Sequence, residues 1–349
     1  MKIAVLMSGG VDSTVAALLL KKQGYQVIGL TMINWNPKVA NMAQQAASQL
    51  GIEHIVVDFS RQFATQVINN FRAEYEKGHT PNPCVRCNRY IKFGLLLEYA
   101  LNMGFDRVAT GHYARIEYDE TRKRFLLKKA KYLAKDQSYF LFALNQEQLG
   151  HTIFPLGEIS KPEVRQLARE HNITAAASKE SQEICFIEGD YRKFLLQKKQ
   201  YTPGKITDLQ GNILGLHKGL PFYTIGQRKG LGISGGKPLY VVALDSEKNR
   251  VILDDQRYLF ARTLTAIDNN FIYYEEVGQS LRVQARIRYR AKDAPALLSV
   301  KGDKVILDFD DDQRAITPGQ AVVYYLGDYV LGGGTIKDQG DGSCGANSR

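Results

Sequence analysis

Apolar residues follow two different spacings in the first half of the chain. Short continuous runs, typical of strands buried on both faces of a parallel sheet, occupy residues 3–7, 27–32, 55–57 and 108–110. Between them, apolar residues three or four positions apart share one helix face. Two such stripes occur: Val39, Met42, Ala43, Ala46, Ala47 and Leu50, and then Leu96, Tyr99, Ala100 and Met103. Alternating strands and helices predict an α/β domain with a parallel sheet.

The pattern changes in the second half. Residues 154–200 are charged and have helical spacing, and Ser160 followed by Pro162 predicts the start of a helix. After residue 204, short apolar runs are separated by Gly, Asp and Asn, which is typical of small β domains. We therefore expect a mainly β second half made of two small barrels.

The length of 349 residues is enough for more than one core. The predicted fold class is α/β: an N-terminal parallel-sheet domain followed by two small mainly β domains, of which the last is a β-barrel. The expected units are 1–200 with a helical extension, 201–268, 269–338 and a disordered, polar, glycine-rich tail at 339–349.

Composition narrows the class of protein. The chain is 44% hydrophobic and 23% charged, and it contains no apolar run near the roughly 18 residues that a membrane span needs. The N-terminal apolar run is too short for a signal-peptide core. Four cysteines do not make a disulfide framework in so long a chain, which favours a cytoplasmic protein without membrane contact. The net charge of +10 favours a polyanionic partner such as nucleic acid.

A glycine turn lies between the first strand and the first helix, in "AVLMSGGVDSTVAALLL". A strand, tight turn and helix of this kind direct free backbone N–H groups and a positive helix end at an anion such as phosphate. The turn lacks the lysine of the G-x-x-x-x-G-K-[ST] loop, so another group must neutralise the phosphates. Asp12 could hold Mg²⁺, with Ser8 and Ser13 as hydroxyl donors. A turn without a ligand is the alternative.

Three cysteines are candidates for chemistry. Cys84 and Cys87 form a C-x-x-C pair in "TPNPCVRCN", a spacing that serves metal binding, dithiol chemistry and cluster ligation alike. Cys185 lies where a polar run turns apolar, and a thiol there is reactive when half-exposed and inert when buried. A zinc knuckle would need two more ligands, and neither Cys185 with Cys344 nor the histidines supply a paired second half.

Residues 281–290, "LRVQARIRYR", alternate apolar and polar side chains. As one strand, the segment would place four arginines on a single face: Arg282, Arg286, Arg288 and Arg290. Such a face suits the phosphates of a nucleic acid, and a solvated outer face is the alternative. A second basic segment with aromatic residues is "KKAKYLAKDQSYF".

These motifs together carry a family resemblance. "SGGVDS" resembles the SGGxDS motif of the PP-loop ATP pyrophosphatases, which cleave ATP between its α- and β-phosphates and adenylate a substrate oxygen. From residue 1 to 337 the chain resembles the bacterial tRNA-specific 2-thiouridylases, which thiolate the wobble uridine of tRNA. The motifs that carry it are "SGGVDS", "TPNPCVRCNRYIKFG", "ATGHYAR", "KDQSYFL", "EICFI", "TIGQRKGLGI", "RYR", "TPGQAVVYY" and "LGGG".

The resemblance implies a role for each matching position. Cys87 would be the nucleophile, and Cys185 would receive persulfide sulfur from a carrier. Cys87 would then either attack the persulfide to liberate hydrosulfide or close a disulfide with Cys185 after transfer. The implied ATP-binding residues are Leu6, Met7, Ser8, Gly9, Gly10, Val11, Asp12, Ser13, Met32 and Gly111. The implied tRNA-binding residues are Asn82, Pro83, Cys84, His112, Lys135, Asp136, Gln137, Arg288, Tyr289 and Gln320. ATP and Mg²⁺ are the implied cofactors, and tRNA and a sulfur-carrier protein or other persulfide or sulfide donor the implied partners.

Cys84 departs from the family pattern, because many relatives have aspartate there. Cys84, Cys87 and Cys185 could hold three irons of a [4Fe–4S] cluster and leave the fourth iron open for sulfide. The persulfide route needs only the last two, and the sequence leaves both routes open. Two alternative functions stay open for this chain. It could be a PP-loop ligase that adenylates a small metabolite, or a tRNA-holding protein whose ATP loop is regulatory.

Overall fold

The N-terminal part of the protein is built on a five-stranded parallel sheet. The computed structural model describes residues 1–34, 36, 38–174, 184–187, 189–233 and 236–337. The strand order is β3-β2-β1-β4-β7, with β1 Lys2–Leu6, β2 Gln26–Ile33, β3 His54–Asp58, β4 Arg107–Ala109 and β7 Thr152–Ile153. All four predicted strands are confirmed, and the two-residue β7 was not predicted.

Helices cover both faces of this sheet and leave two apolar cores. The α-helices in the described residues are α1 Val11–Lys22, α2 Lys38–Leu50, α3 Ser60–Phe63, α4 Asn69–Glu76, α5 Pro83–Arg86, α6 Leu96–Asn102, α7 Gln146–Gly150, α8 Lys161–Glu170 and α9 Tyr191–Leu196. Two π-helical segments, Ala64–Ile68 and Cys87–Leu95, make α3–α4 and α5–α6 each one continuous helix. None of the helices in these ranges is long and apolar enough to cross a membrane.

The predicted helix stripes face the apolar cores except at Met42 and Met103. Ala43, Ala46, Ala47 and Leu50 are buried, as are Leu96 and Ala100. Met42 is 48% exposed because it lies over the glycine turn at the edge of the sheet, where its Cβ comes within 2.5 Å of where a Cβ on Gly9 would be. Met103 is 53% exposed because α6 ends at Asn102.

The predicted helix start at Ser160 is confirmed. The Ser160 hydroxyl accepts the Glu163 amide at 3.4 Å, and the Glu163 carboxylate accepts the Ser160 amide at 2.7 Å. This capping box satisfies two backbone donors that the first turn leaves open. Pro162 fits beside it because the first turn needs no amide from that position. The start of α8 is therefore fixed, which matters for the position of Lys161.

The second half contains two β units, of which one closes. A four-stranded sheet has the order β10-β11-β8-β9, with β8 Gly204–Thr207, β9 Ile213–His217, β10 Tyr240–Asp245 and β11 Arg250–Asp254. Six further strands close into a barrel because the first pairs with both β15 and β17: β12 Phe260–Phe271, β13 Ser280–Arg286, β14 Ala294–Lys301, β15 Lys304–Arg314, β16 Ala321–Leu326 and β17 Tyr329–Ile336. The C-terminal barrel is confirmed, while the described strands of the first β unit form an open sheet.

A hairpin from the N-terminal part extends the barrel. It consists of β5 Ala114–Asp119 and β6 Arg124–Lys129, and β6 pairs with β17 through Lys128 and Tyr329. One core therefore contains residues of both units, Leu127 and Val323 among them. The strand β12 runs across the predicted 268/269 boundary, so the barrel takes in residues from Phe260 onward. The predicted tail at 339–349 lies outside the described residues.

Candidate active site

The glycine turn after β1 has the geometry of an anion-binding loop, and it is called the anion loop below. Gly9 has φ +74°, a conformation that favours glycine, and a Cβ there would meet Met42 at 2.5 Å. Gly10 is the N-cap of α1 and supplies no side chain to its first turn. Amide groups at the start of α1 are therefore left for a ligand, and the helix end is positive.

The two loop serines have different settings. The Ser13 hydroxyl accepts the Ser8 amide at 3.2 Å and donates to the Gly10 carbonyl at 3.1 Å, so it holds the loop in shape. The Ser8 side chain is exposed, and its Oγ lies 3.4 Å from the Ser13 Oγ. Of the two predicted hydroxyl donors, Ser8 is the one presented to an incoming phosphate.

Gly111 brings the end of β4 against this loop. A Cβ on Gly111 would lie 2.7 Å from both the Asp12 carbonyl carbon and the Ser13 nitrogen. Met32, at the end of β2, is half-buried and packs against two of the apolar cores. The carboxyl ends of β1, β2 and β4 thus meet at one edge of the sheet, which is where ligands bind in open α/β folds.

Asp12 is held by two donors that the sequence did not reveal. The Tyr113 hydroxyl donates to Asp12 Oδ1 at 2.7 Å, and the Lys161 ammonium donates to the same oxygen at 2.6 Å. Lys161 is only 8% exposed. In the sequence, the only indication of its position was that it directly follows the predicted helix start at Ser160. Asp12, the expected Mg²⁺ ligand, therefore forms an ion pair with Lys161 through one of its two carboxylate oxygens.

The C-x-x-C pair lies at the start of the α5–α6 helix. Asn82 is the N-cap and its side chain accepts the Val85 amide at 3.4 Å, with Pro83 in the first turn. Cys84 is exposed, whereas Cys87 is 7% exposed and packs into a cluster with Phe63 and other aromatic residues. Burial raises the pKa of Cys87 to about 12, so its thiol is protonated at neutral pH.

Cys185 lies at the same edge of the sheet as the anion loop. Its side chain is exposed, while Phe186 next to it is buried in the cluster that holds Cys87. The Asn34 amide, which follows β2, lies 4.0 Å from the Cys185 sulfur. Burial raises the pKa of all three thiols, and the Lys92 ammonium opposes that rise. The structure thus brings Cys84, Cys87 and Cys185 into electrostatic range, each as a free thiol.

The three thiols do not fit the predicted cluster. Within the described ranges, no group of three or more His, Cys, Asp or Glu side chains is arranged to hold a metal ion. Cys87 points into an aromatic core while Cys84 faces solvent, whereas a [4Fe–4S] cluster needs its thiolates to converge on one point. The described arrangement does not support a cluster at these cysteines, and their metal-ligand role stays a prediction.

The segment at Thr80 and Asn82, the second of which is an implied tRNA-binding residue, is tied to the barrel. The Gln320 side-chain Nε2 donates to the Thr80 carbonyl at 2.8 Å, and the Thr80 backbone amide donates to the Pro318 carbonyl at 2.9 Å. The buried Tyr139 hydroxyl donates to the Ala321 carbonyl at 2.8 Å and also interacts with the Asn82 side chain. Tyr139 therefore joins two segments that are far apart in the chain, and sequence reasoning missed it.

The segment 135–137 is attached to the anion loop through Tyr113. The Gln137 amide donates to the Tyr113 carbonyl at 2.8 Å, and its side chain accepts the Tyr113 amide at 3.0 Å. Asp136 is only 3% exposed and accepts from Ala130, Ser138 and Arg286. Its carboxylate is thus engaged within the protein, and Lys135 and Gln137 are the half-buried members of the set. The tRNA contacts implied for residues 135–137 stay a prediction.

His112 has the surroundings of a core histidine. Its ring lies 5.9 Å from the rings of Phe93 and Phe154, and its Nδ1 lies 2.7 Å from the Thr110 hydroxyl. Burial, followed by the nearby Lys92 charge, holds the pKa of His112 well below its usual range. The ring is therefore neutral at physiological pH and would act on a ligand only as a hydrogen-bond partner.

The predicted four-arginine face is wrong. The strand β13 ends at Arg286, because the chain bends at 287–290. Arg282 pairs with Asp310 at 2.6 Å, and Arg286 pairs with Asp293 at 2.5 Å. Arg288 donates to the Arg314 carbonyl. Tyr289 packs on Phe140 with ring centroids 4.5 Å apart, which places it beside the 138–140 turn.

Comparisons with known proteins give matches over the whole described fold. Family models match with the descriptions tRNA methyl transferase HUP domain at residues 1–189, tRNA methyl transferase PRC-barrel domain at 192–255 and aminomethyltransferase beta-barrel domain at 261–336. A solved 4-thiouridine synthetase in complex with RNA and ATP is 17% identical, with a TM-score of 0.38 over 56% of this chain and 50% of that chain. That structural likeness is too low to bear on activity.

Two curated relatives are far more similar. The tRNA-specific 2-thiouridylase MnmA of Syntrophomonas wolfei is 53% identical over 337 residues, which are 96% of this chain and 100% of that protein. The protein of the same name from Moorella thermoacetica is 50% identical over 351 residues, at 95% and 98% coverage. Half of the residues are shared over nearly the full length, and this chain therefore belongs to the tRNA-specific 2-thiouridylase family.

Proposed function

We propose that this protein is an ATP-dependent tRNA sulfurtransferase that replaces O2 of the wobble uridine by sulfur. The full-length similarity to named 2-thiouridylases supports this activity. The observation that carries it is the shared edge of the sheet: an anion loop at the start of α1 and the exposed thiol of Cys185 beside Asn34. One site thus combines a place for ATP with a place for sulfur.

The first step is adenylation of the base. The uridine O2 attacks the α-phosphorus of ATP, the bond to the β-phosphate oxygen breaks, and pyrophosphate leaves. The oxygen at C2 becomes part of AMP, which is a good leaving group. The exposed Ser8 hydroxyl and the amides that Gly10 leaves open suit the phosphates, and one carboxylate plus phosphate oxygens suits Mg²⁺. Asp12 would hold that ion through the oxygen that Lys161 does not bind.

The second step is sulfur transfer. The outer sulfur of a persulfide on Cys185 attacks C2, and the tetrahedral intermediate expels AMP. Cys87 then loses its proton and attacks the Cys185 sulfur, which releases the base as 2-thiouridine and leaves a Cys87–Cys185 disulfide. A thiol reductant resets the pair. Each turnover therefore consumes one persulfide, one ATP and one electron pair from the thiol reductant, and it releases AMP, pyrophosphate and 2-thiouridine.

The different exposure of Cys185 and Cys87 suits them to different steps of the reaction. Cys185 is exposed, so a sulfur-carrier protein or another persulfide donor can reach it. Cys87 is buried, so only a group already in the site can reach it. Lys92 stabilises whichever thiolate forms, because its ammonium is within electrostatic range of both. This arrangement supports the persulfide route, whereas the thiols as placed do not support the cluster route.

Three cysteine variants test the proposal. Cys87→Ser and Cys185→Ser should each abolish 2-thiouridine, measured by mass spectrometry of digested tRNA, while tRNA binding persists. Cys84→Ser is the matched third variant: retained thiolation supports the persulfide route, and lost thiolation together with iron in the purified wild type would support a cluster. Retained thiolation in either of the first two variants contradicts the proposal, and AMP formation without RNA would instead indicate a small-molecule ligase.

A further inference from the structure

Two arginines lie side by side at the end of β15, where the barrel meets the first β unit. Arg288 donates to the backbone carbonyl of Arg314, which is the last residue of that strand. Among the described residues, neither guanidinium pairs with a carboxylate, whereas Arg282 and Arg286 each pair with one, at 2.6 and 2.5 Å. Two like charges close together repel each other unless an anion lies between them. The described residues thus leave the positive charge at this place without an anionic partner.

The backbone that carries Arg314 is held in place. The next residue, Ala315, is buried in a small apolar core with Val242 and Leu259, and its amide donates to the Leu259 carbonyl at 2.7 Å. Ala315 has φ +54°, a left-handed conformation that is unfavourable for a residue with a Cβ, so these contacts must maintain it. The exposed Arg314 guanidinium lies 5.7 Å from the centre of the Tyr240 ring of β10. Its charge is therefore presented to solvent from a fixed position.

Arg288 is the half-buried member of the pair. Burial, followed by the charge of Arg314, lowers the pKa of Arg288 from its usual value. Both causes mean that positive charge at this place is unfavourable until an anion balances it. Tyr139 lies within electrostatic range of Arg288 and also interacts with the side chain of Asn82. The arginine pair is therefore close to the start of the α5–α6 helix, where the C-x-x-C thiols lie.

A phosphate group is the anion that fits the pair. Guanidinium groups present planar forks of N–H donors that match two phosphate oxygens, and the net charge of +10 favours a polyanion. An RNA strand carries a phosphate on each side of every internal base, so a nucleotide that enters the site near Asn82 brings phosphates to the neighbouring surface. We propose that Arg288 and Arg314 together bind one backbone phosphate of the tRNA there, an inference that rests on the proposed function.

The test removes each charge and measures tRNA binding directly. Arg314→Gln removes one guanidinium but keeps the hydrogen bond from Arg288, because the acceptor is the backbone carbonyl of residue 314. Arg314→Lys keeps the charge without the planar fork. Arg282→Gln is the matched control, since it makes the same charge change at an exposed barrel arginine that already pairs with Asp310. Binding of unmodified tRNA to the full chain is measured by filter binding over a range of salt concentrations.

Arg288→Gln and Arg314→Gln should each weaken tRNA binding about tenfold at low salt. Because both residues act on one phosphate, the double variant should lose less than the product of the two single losses. The slope of log affinity against log salt concentration should fall by about one in the double variant. Arg314→Lys should recover part of the affinity, and Arg282→Gln should match the wild type. In turnover, the loss should appear in the KM for tRNA and leave the KM for ATP at the wild-type value.

A folded Arg314→Gln variant with wild-type tRNA affinity overturns the inference, and so does an equal loss in Arg282→Gln, which would indicate a general effect of net charge. Single losses that multiply in the double variant would contradict the shared phosphate. If Arg314→Gln does not fold, Arg314→Met decides, because it keeps an apolar stem over Tyr240. Wild-type protein that binds tRNA but forms no 2-thiouridine with ATP and a persulfide donor would contradict the proposed function instead.

Discussion

The thiols of Cys87 and Cys185 are chemically identical but lie in opposite surroundings. Cys87 is 7% exposed among aromatic side chains, and Cys185 is exposed beside Asn34. The sequence could identify both as candidates, because the motifs around them are distinctive. It could not show which was buried, since burial of Cys87 depends on Phe63 and Phe186, which come from segments far away in the chain.

The pKa of Cys87 can be tested by alkylation. Burial raises it to about 12, so the thiolate is scarce at neutral pH and its fraction should rise tenfold per pH unit up to that value. Site-specific iodoacetamide labelling, followed by peptide mass spectrometry between pH 7 and about 10, should show Cys87 labelling that keeps rising without a plateau. The exposed Cys84, close by in the chain, is the internal control. A plateau of Cys87 labelling below about pH 9 would contradict the raised pKa.

The raised pKa of Cys87 also makes the stability of the fold depend on pH. The folded-state pKa of Cys87 is above that of an unfolded cysteine, so the folded protein keeps a proton that the unfolded chain releases. Its stabilising contribution is complete below the unfolded pKa and is lost as the pH rises toward the folded pKa. The chain should therefore become less stable in this alkaline range, and Cys87→Ala should remove that part of the loss.

At the scale of elements, the sequence predicts best what depends on neighbours in the chain. The strand, glycine turn and helix at 3–22 and the capped start of α8 follow from local rules and are confirmed. The arginine face failed because strict alternation at 281–290 does not reveal where a strand ends. The hairpin of β5 and β6 was missed because its partner strand, β17, comes some 200 residues later, at Tyr329–Ile336.

A substitution at Gly111 tests how closely the end of β4 must approach the anion loop. A Cβ there would lie 2.7 Å from the backbone of Asp12 and Ser13, which cannot move aside as a flexible side chain can. Gly111→Ala should cost about 1–3 kcal/mol of stability and raise the KM for ATP, as thermal melting and pyrophosphate release would show. Gly278→Ala is the control, because nothing lies within 4 Å of its added Cβ. Equal effects of the two variants would contradict the close approach.

At the scale of the whole molecule, the barrel helps to build the site. Its 318–320 loop contacts Thr80, and Gly319 is needed because a Cβ there would lie 2.8 Å from the Cβ of His79. Tyr139 joins the barrel to the start of the cysteine helix, and Gln137 joins the same region to the anion loop through Tyr113. Such contacts between distant segments cannot be inferred from local patterns, although several of their residues lie in motifs of the family resemblance.

The central claim is that ATP cleavage and sulfur transfer from Cys185 occur at one site. A single-turnover experiment tests it: the protein is loaded with persulfide sulfur, freed of donor, and mixed with unmodified tRNA with and without ATP. The account predicts up to one 2-thiouridine per loaded protein, with matching AMP and pyrophosphate, and none without ATP or in Cys185→Ser. Thiouridine formed without ATP, or AMP formed without any thiouridine, would contradict it.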